Sequence, residues 1–126
     1  MQQMNEARLQ LEIMEMKKRF PSFRVVSLLG GMLGFRGSLR PRTSVYEILV
    51  VLPPTYPHEA PRVFPVFPQI VSPKHQYKSG ALCYHLSHEW SPQYTVCVAI
   101  GWVSHWLAAH EQFVKTGHWP GKEAEQ

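Results

Sequence analysis

The chain has 126 residues, of which 44% are hydrophobic, and a formal net charge of +4 from 13 Lys and Arg against nine Glu and no Asp. This size predicts one domain, residues 1–126, whose core needs neither a disulfide nor a metal ion. There is no apolar run of ~18 residues and no signal-peptide pattern at the start, so we expect a cytoplasmic protein that does not bind membranes. The positive residues are scattered and no zinc-finger or RNP-type motif accompanies them, which argues against nucleic-acid binding.

The first regular pattern is a predicted helix from Met4 to Phe20, where helix-forming residues dominate and Pro21 ends the run. Apolar residues at positions 4, 7, 11 and 14 predict that this face is the buried one. The last turn carries three basic residues, Lys17, Lys18 and Arg19, which complement the negative end of the helix dipole.

Segments rich in β-branched and aromatic residues follow at 23–29, 32–39 and 44–52, separated by breaks rich in Gly, Pro and Arg. They predict an antiparallel meander. Residues 53–61 hold four prolines and predict an ordered surface turn. A short segment at 62–66 then predicts a strand that a proline restricts to a sheet edge.

Residues 68–94 have no clear period, and a loop of this length in a compact domain is usually functional. A helix is predicted to follow, capped at its start by Thr95 and ended by Gly117. Its apolar residues follow one helical face, at positions 96, 99, 100, 103, 106, 107, 110, 113 and 114. The elements together predict an α+β fold with an N-terminal helix, a four-stranded antiparallel meander, a long loop and a C-terminal helix.

Cys83 lies in the long loop among histidines and allows three interpretations from its residue type alone. Zinc binding with His85, His88 and Cys97 is disfavoured, because Cys97 falls inside the predicted helix and Cys83 has no cysteine close to it in sequence. A cysteine hydrolase would pair the thiol with a histidine, but such sites also use an orienting Asp or Asn, and the only Asn is in the first helix. A buried, inert cysteine is the third interpretation; the loop context and the polar segment after it favour a thiol at the surface.

The ordered motifs between residues 46 and 95 resemble the core of a ubiquitin-conjugating enzyme. That family has a strand ending in Leu-Pro, then Tyr-Pro and Pro, a Gly-x-Ile/Leu-Cys active-site strand, and Trp-Ser-Pro with Thr opening a helix. These positions are occupied here by Leu52-Pro53, Tyr56-Pro57, Pro61, Gly80-Ala81-Leu82-Cys83, Trp90-Ser91-Pro92 and Thr95. The resemblance implies that Cys83 is a nucleophile that forms a thioester and passes its acyl group to an amine, without a cofactor.

Two departures from the family pattern concern catalysis. Eight residues before the cysteine, where the family carries the Asn of His-Pro-Asn, this chain has His75, whose imidazole N–H is suited to donate to an oxyanion. Two residues after it, where an acidic residue is common, the chain has His85, a candidate base. These departures, and the single helix after the loop, resemble bacterial members encoded in antiphage defence operons.

The resemblance also implies partners. Acyl donors in such operons are a ubiquitin-like protein or the C-terminus of a cGAS-like nucleotidyltransferase, in some cases with an activating enzyme. An activating enzyme would meet the basic first helix at Lys17, Lys18 and Arg19, and ligase-type partners would dock at Tyr56, Pro57, Ser91 and Pro92. Because the Asn is replaced, an inactive module of the same fold that only binds partners is the alternative, with a cysteine hydrolase as a third possibility.

Overall fold

A computed structural model describes residues 5–121 of the chain, and its elements follow the predicted order. Two helices and four strands form the frame: α1 Glu6–Arg19, β1 Arg24–Ser27, β2 Leu33–Leu39, β3 Tyr46–Val51, β4 Arg62–Phe67 and α2 Val96–Thr116. The strands form one antiparallel sheet in the order β1-β2-β3-β4. The α+β meander is therefore confirmed, and each strand lies within two residues of its predicted bounds.

The core lies between the sheet and α2. Alternate residues of β3, Tyr46, Ile48 and Val50, are buried, as expected for a strand with one face toward the core. Ile100 and Val103 of α2 belong to the same hydrophobic cluster. Strand β4 is an edge strand, so Pro65 within it interrupts no ladder on its outer side.

The predicted buried face of α1 is wrong. Leu11 is exposed and Met14 is 67% exposed, whereas Glu12 is 0% exposed and Met16 is buried; the predicted start at Met4 lies outside the described residues. The reason is a polar cluster, because the Glu12 carboxylate accepts hydrogen bonds from Arg8 Nε at 2.9 Å and from the Tyr56 hydroxyl. This cluster fixes the rotation of α1 in place of the apolar periodicity.

The two ends of α2 differ in how they fit the prediction. Gly117 ends the helix as predicted, in the left-handed conformation at φ 78°, which glycine adopts without steric cost. At the start, the Thr95 side chain makes no capping bond and donates to Glu15 instead. The Val96 N–H donates to Glu12 Oε1 at 2.9 Å, so the cap comes from α1. No helix within residues 5–121 combines the length and apolar character that a bilayer span requires.

Candidate active site

Cys83 is held at the end of a short two-stranded turn within the long loop. Gln76 and Leu82 form an isolated antiparallel bridge, and the Cys83 N–H donates to the His75 carbonyl at 2.9 Å. Gly80 closes the turn at φ 95°, a conformation that favours glycine. The Leu82 N–H donates to the Val63 carbonyl at 2.8 Å, which anchors the turn to β4. The position that resembles an active-site strand is therefore only an isolated bridge here.

The expectation of a thiol held at the surface is wrong, because Cys83 is only 5% exposed. Its side chain instead lines a cavity of about 410 Å³, which we call the Cys83 cavity. The cavity is walled by Cys83 and its neighbour, by one face of α2, by the segment after α2 and by two more distant residues; its members are Arg42, His75, Cys83, Tyr84, Trp102, His105, Trp106, Ala108, Ala109, Gln112, Trp119, Pro120 and Gly121. The thiol also lies 4.0 Å from the His85 carbonyl, a weak sulfur hydrogen bond.

His75 lies in the wall of the same cavity as Cys83. It is buried, and its backbone has φ 59°, in the left-handed region that Asn, Asp and His tolerate better than most residues. Its carbonyl accepts hydrogen bonds from Cys83 N and from Trp106 Nε1, both at 2.9 Å. Its ring lies 4.7 Å from the ring of Trp119, centroid to centroid. The backbone at this position is thus fixed from two sides, by Cys83 and by Trp106.

His85 lies on the other side of the cysteine, in an aromatic cluster. Its ring packs against Tyr84 and Trp102 at centroid distances of 4.7 and 6.0 Å. Its Nδ1 is 2.7 Å from the Leu86 carbonyl, which only accepts hydrogen bonds, so Nδ1 carries the proton and Nε2 of the neutral ring can accept one. His85 does not line the Cys83 cavity but an adjoining cavity of about 630 Å³.

Tyr77 is a site residue that the sequence patterns did not indicate. The neighbouring Cys83 thiol, and next partial burial, raise the pKa of the Tyr77 phenol. The ring is otherwise largely exposed. The signal that points to it is the register of the turn: the antiparallel bridge between Gln76 and Leu82 pairs Tyr77 with Ala81 and His75 with Cys83, so Tyr77 lies diagonally across from Cys83.

Two more groups were missed. Trp119 packs against Trp106 and Phe113 at 5.3 and 5.9 Å, which folds the segment after α2 back onto the helix and against His75. Arg42, from the β2–β3 connection, lies at the cavity with Gln112 of α2, and its Nη1 donates to Gln112 Oε1 at 3.3 Å. Trp106 had a sequence signal, its place on the apolar face of the predicted helix, whereas Trp102, Arg42 and Trp119 had none.

The residues assigned to partner binding separate into exposed and buried ones. Lys17, Lys18 and Arg19 are exposed in the last turn of α1. The turn at Pro57 and the segment Ser91-Pro92 come together, because Trp90 Nε1 donates to the Pro57 carbonyl at 2.8 Å. Tyr56 is buried with its hydroxyl on Glu12, so a direct contact of its ring with a partner does not fit the structure.

Cys97 is in the first turn of α2, apart from the cavity. Both cysteines are free thiols. Burial, and next the nearby Glu15 carboxylate, raise the pKa of the Cys97 thiol to about 12, so little thiolate forms at neutral pH. Within residues 5–121, no three His, Cys or Glu side chains lie close enough together to hold a metal ion.

The sheet, the two helices and the cysteine turn define a protein of the ubiquitin-conjugating-enzyme-like fold. Solved structures of the same fold include the Vps23 UEV in complex with ubiquitin, with a TM-score of 0.60 and 15% identity over 81% of each chain. Another is the yeast Vps23 UEV domain in complex with a Vps27 PSDP peptide, with a TM-score of 0.60 and 13% identity over 94% of this chain and 84% of that one. At these identities the likeness shows the fold alone.

The family is given by the sequence match. The family model for the type II CBASS E2 protein matches residues 12–126. The chain therefore belongs to the type II CBASS E2 family and is an E2-like protein of CBASS antiphage defence. No curated protein is significantly similar to it in sequence.

Proposed function

We propose that this protein is a conjugating enzyme, acting as one domain, that carries an acyl group as a thioester on Cys83 and transfers it to an amine. The observation that carries the proposal is that Cys83, at the family's cysteine position, lines a cavity shared with His75. A volume of about 410 Å³ is sufficient for the end of a peptide chain. The acyl donor is the C-terminus of a ubiquitin-like protein or of a cGAS-like nucleotidyltransferase.

The chemistry needs a thiol that attacks and later leaves. In loading, the Cys83 thiolate attacks the carbonyl carbon of an activated donor, and the donor's former leaving group departs. In transfer, the amine attacks the thioester carbon, the oxygen becomes negative, and the C–S bond then breaks with release of the Cys83 thiolate. We assign stabilisation of this oxyanion to the N–H of the His75 imidazole. We assign removal of the amine proton to His85, whose Nε2 can accept a proton while its Nδ1–H donates to the Leu86 carbonyl.

Partner contacts follow from exposure and charge. Lys17, Lys18 and Arg19 form an exposed basic end of α1 that suits an acidic face on an activating enzyme. Pro57, Ser91 and Pro92 lie next to one another, which supports a shared docking surface for a further partner.

A binding module is the second candidate function, and one observation favours it. Cys83 is only 5% exposed, so the thiol offers little free surface to a donor. The two Vps23 structures are described as complexes with ubiquitin and with a peptide. In this alternative the protein holds its partner without a covalent step.

Trapping a covalent adduct on Cys83 distinguishes a conjugating enzyme from a binding module. When the protein is expressed with the neighbouring genes of its operon, the wild type should form an adduct that thiol reductants release. Cys83→Ser should give an adduct that resists reductant, because an oxygen ester replaces the thioester, and Cys97→Ser should behave as wild type. An adduct that persists in Cys83→Ala and is lost in Cys97→Ala would contradict the assignment. Non-covalent co-purification alone, in all variants, would support the binding module.

A further inference from the structure

We propose that the Cys83 cavity selects acyl donors whose C-terminal tail carries a large apolar side chain and an acidic side chain within a few residues of the reacting carbonyl. This inference rests on the proposed function, because it names the class of donor that the Cys83 thiol accepts.

The walls provide a rigid apolar surface. Trp102 and Trp106 come from α2 and Trp119 from the segment that follows it. Trp106 is fixed by its hydrogen bond to the His75 carbonyl and by Trp119 at 5.3 Å. Trp102 is packed by Tyr94 at 5.8 Å and by further aromatic rings. Because these indoles are ordered before a ligand arrives, an apolar side chain loses water there without the cost of ordering the wall.

The charges favour an acid. Arg42 and His105 lie at the cavity, and among its described lining residues none is acidic. The guanidinium of Arg42 donates to a neutral amide, Gln112 Oε1 at 3.3 Å, and no carboxylate within residues 5–121 forms an ion pair with it. A carboxylate on the tail would therefore gain charge-assisted hydrogen bonds, whereas Lys or Arg at the same place would be repelled.

The dimensions fit the end of a chain and exclude a folded domain. A volume of about 410 Å³ lies near the lower limit for small-ligand sites, about 300 to 1,000 Å³. Only the last residues of a donor fit, with its carbonyl carbon beside Cys83. The aromatic walls and Arg42 then contact side chains just before the reacting residue, which is where selectivity for the tail arises.

Synthetic peptide thioesters test this without an activating enzyme. Four acetylated tetrapeptides with a C-terminal glycine thioester would be used: all glycine, one with Leu, one with Leu and Glu, and one with Leu and Lys. The Cys83 thiolate attacks the peptide carbonyl, the bond to the small thiol breaks, and that thiol takes up the proton. Intact-protein mass spectrometry gives the rate of acylation of Cys83.

The Leu and Glu peptide should react at least tenfold faster than the all-glycine peptide and than the Leu and Lys peptide. Arg42→Glu should reverse the preference between Glu and Lys, and Arg24→Glu, the same charge change on β1 away from the cavity, should leave it unchanged. Trp102→Ala should remove the advantage of Leu, and Trp102→Phe, which keeps an aromatic ring and serves if the Ala variant does not fold, should lose only part of it.

The experiment distinguishes failure of this inference from failure of the proposed function. Equal rates for all four peptides, with Cys83 acylated in each case, would overturn the inference and leave the proposed function intact. If none of the thioesters acylates Cys83, the result counts against the proposed function. The selectivity of the cavity would then be tested by the binding of the matching peptide amides, measured as changes in tryptophan fluorescence. Binding of the Leu and Glu amide that Arg42→Glu weakens at least tenfold would support it, and equal binding of all amides would overturn it.

Discussion

At the scale of single residues, His75 combines an unusual backbone with a position at the thiol. Among the described residues other than glycine it is the one with positive φ, at 59°. Asn adopts this conformation readily, whereas Ala pays about 1 kcal/mol or more for it. The Asn that the family resemblance places here therefore fits the same backbone, which makes Asn the matched replacement and Ala the disruptive one.

His75→Ala should slow aminolysis of a preformed Cys83 thioester by about 100-fold, because the donor to the oxyanion is lost. His75→Asn should recover part of the rate, since its amide N–H occupies a similar direction. Single-turnover decay of the thioester with an added amine measures the rate, and loading in the same variants serves as the control.

Comparing transfer with loading distinguishes a catalytic role of His75 from a role in ordering the loop. If His75 only ordered the loop, loading, stability and transfer would fall together in the Ala variant. Equal aminolysis rates for wild type and His75→Ala would remove the histidine from the mechanism.

At the scale of elements, Glu12 joins α1 to the start of α2. Its carboxylate accepts from Arg8, from the Tyr56 hydroxyl and from the Val96 N–H, so three elements depend on one buried side chain. A free helix N-terminus has four N–H groups without intrahelical partners, and here a distant carboxylate satisfies one of them. A negative charge at this position also complements the positive end of the α2 dipole.

Glu12→Ala should destabilise the protein by about 3 to 5 kcal/mol, because it leaves the buried Tyr56 hydroxyl, the Val96 N–H and Arg8 Nε without their acceptor. Urea unfolding measures the change. Glu6→Gln, which removes an exposed carboxylate from the first turn of the same helix, should cost less than about 1 kcal/mol. A loss below about 1 kcal/mol in Glu12→Ala would show that the cluster does not hold the helices together.

At the scale of the whole molecule, Glu111 links the end of α2 to the sheet. Burial opposes its ionisation, but hydrogen bonds from Tyr46, Ser44 and Thr43 outweigh this and keep the pKa of the Glu111 carboxyl below its ordinary value. Burial, and then the bond to Glu111, raise the pKa of Tyr46 to about 12, so the phenol remains a donor at neutral pH. The folded state therefore favours the ionised carboxylate more than the unfolded chain does.

This predicts a loss of stability in acid. A carboxyl whose pKa is lowered by folding stabilises the protein above its unfolded pKa of about 4.3, and this contribution is lost as the pH falls through the folded value. Tyr46→Phe should cost about 1.5 to 3 kcal/mol at pH 7, where its partner is charged, and less at low pH. Denaturant unfolding of both proteins between pH 7 and 3 measures this, and a cost that is constant with pH would contradict it.

The sequence by itself determined the element order, the strand bounds, the end of α2 at Gly117 and the family position of Cys83, because each depends on local periodicity, turn residues or short motifs. Tertiary structure alone decided which face of α1 is buried, which group caps α2 and what surrounds the thiol. Glu12 reaches Val96 across 84 residues, and Trp119 packs on His75, so neither contact leaves a local pattern. The spacing of apolar residues predicts which face of a helix is buried. A buried carboxylate that accepts from three donors can set a different rotation of the helix, and only the folded chain brings those donors together.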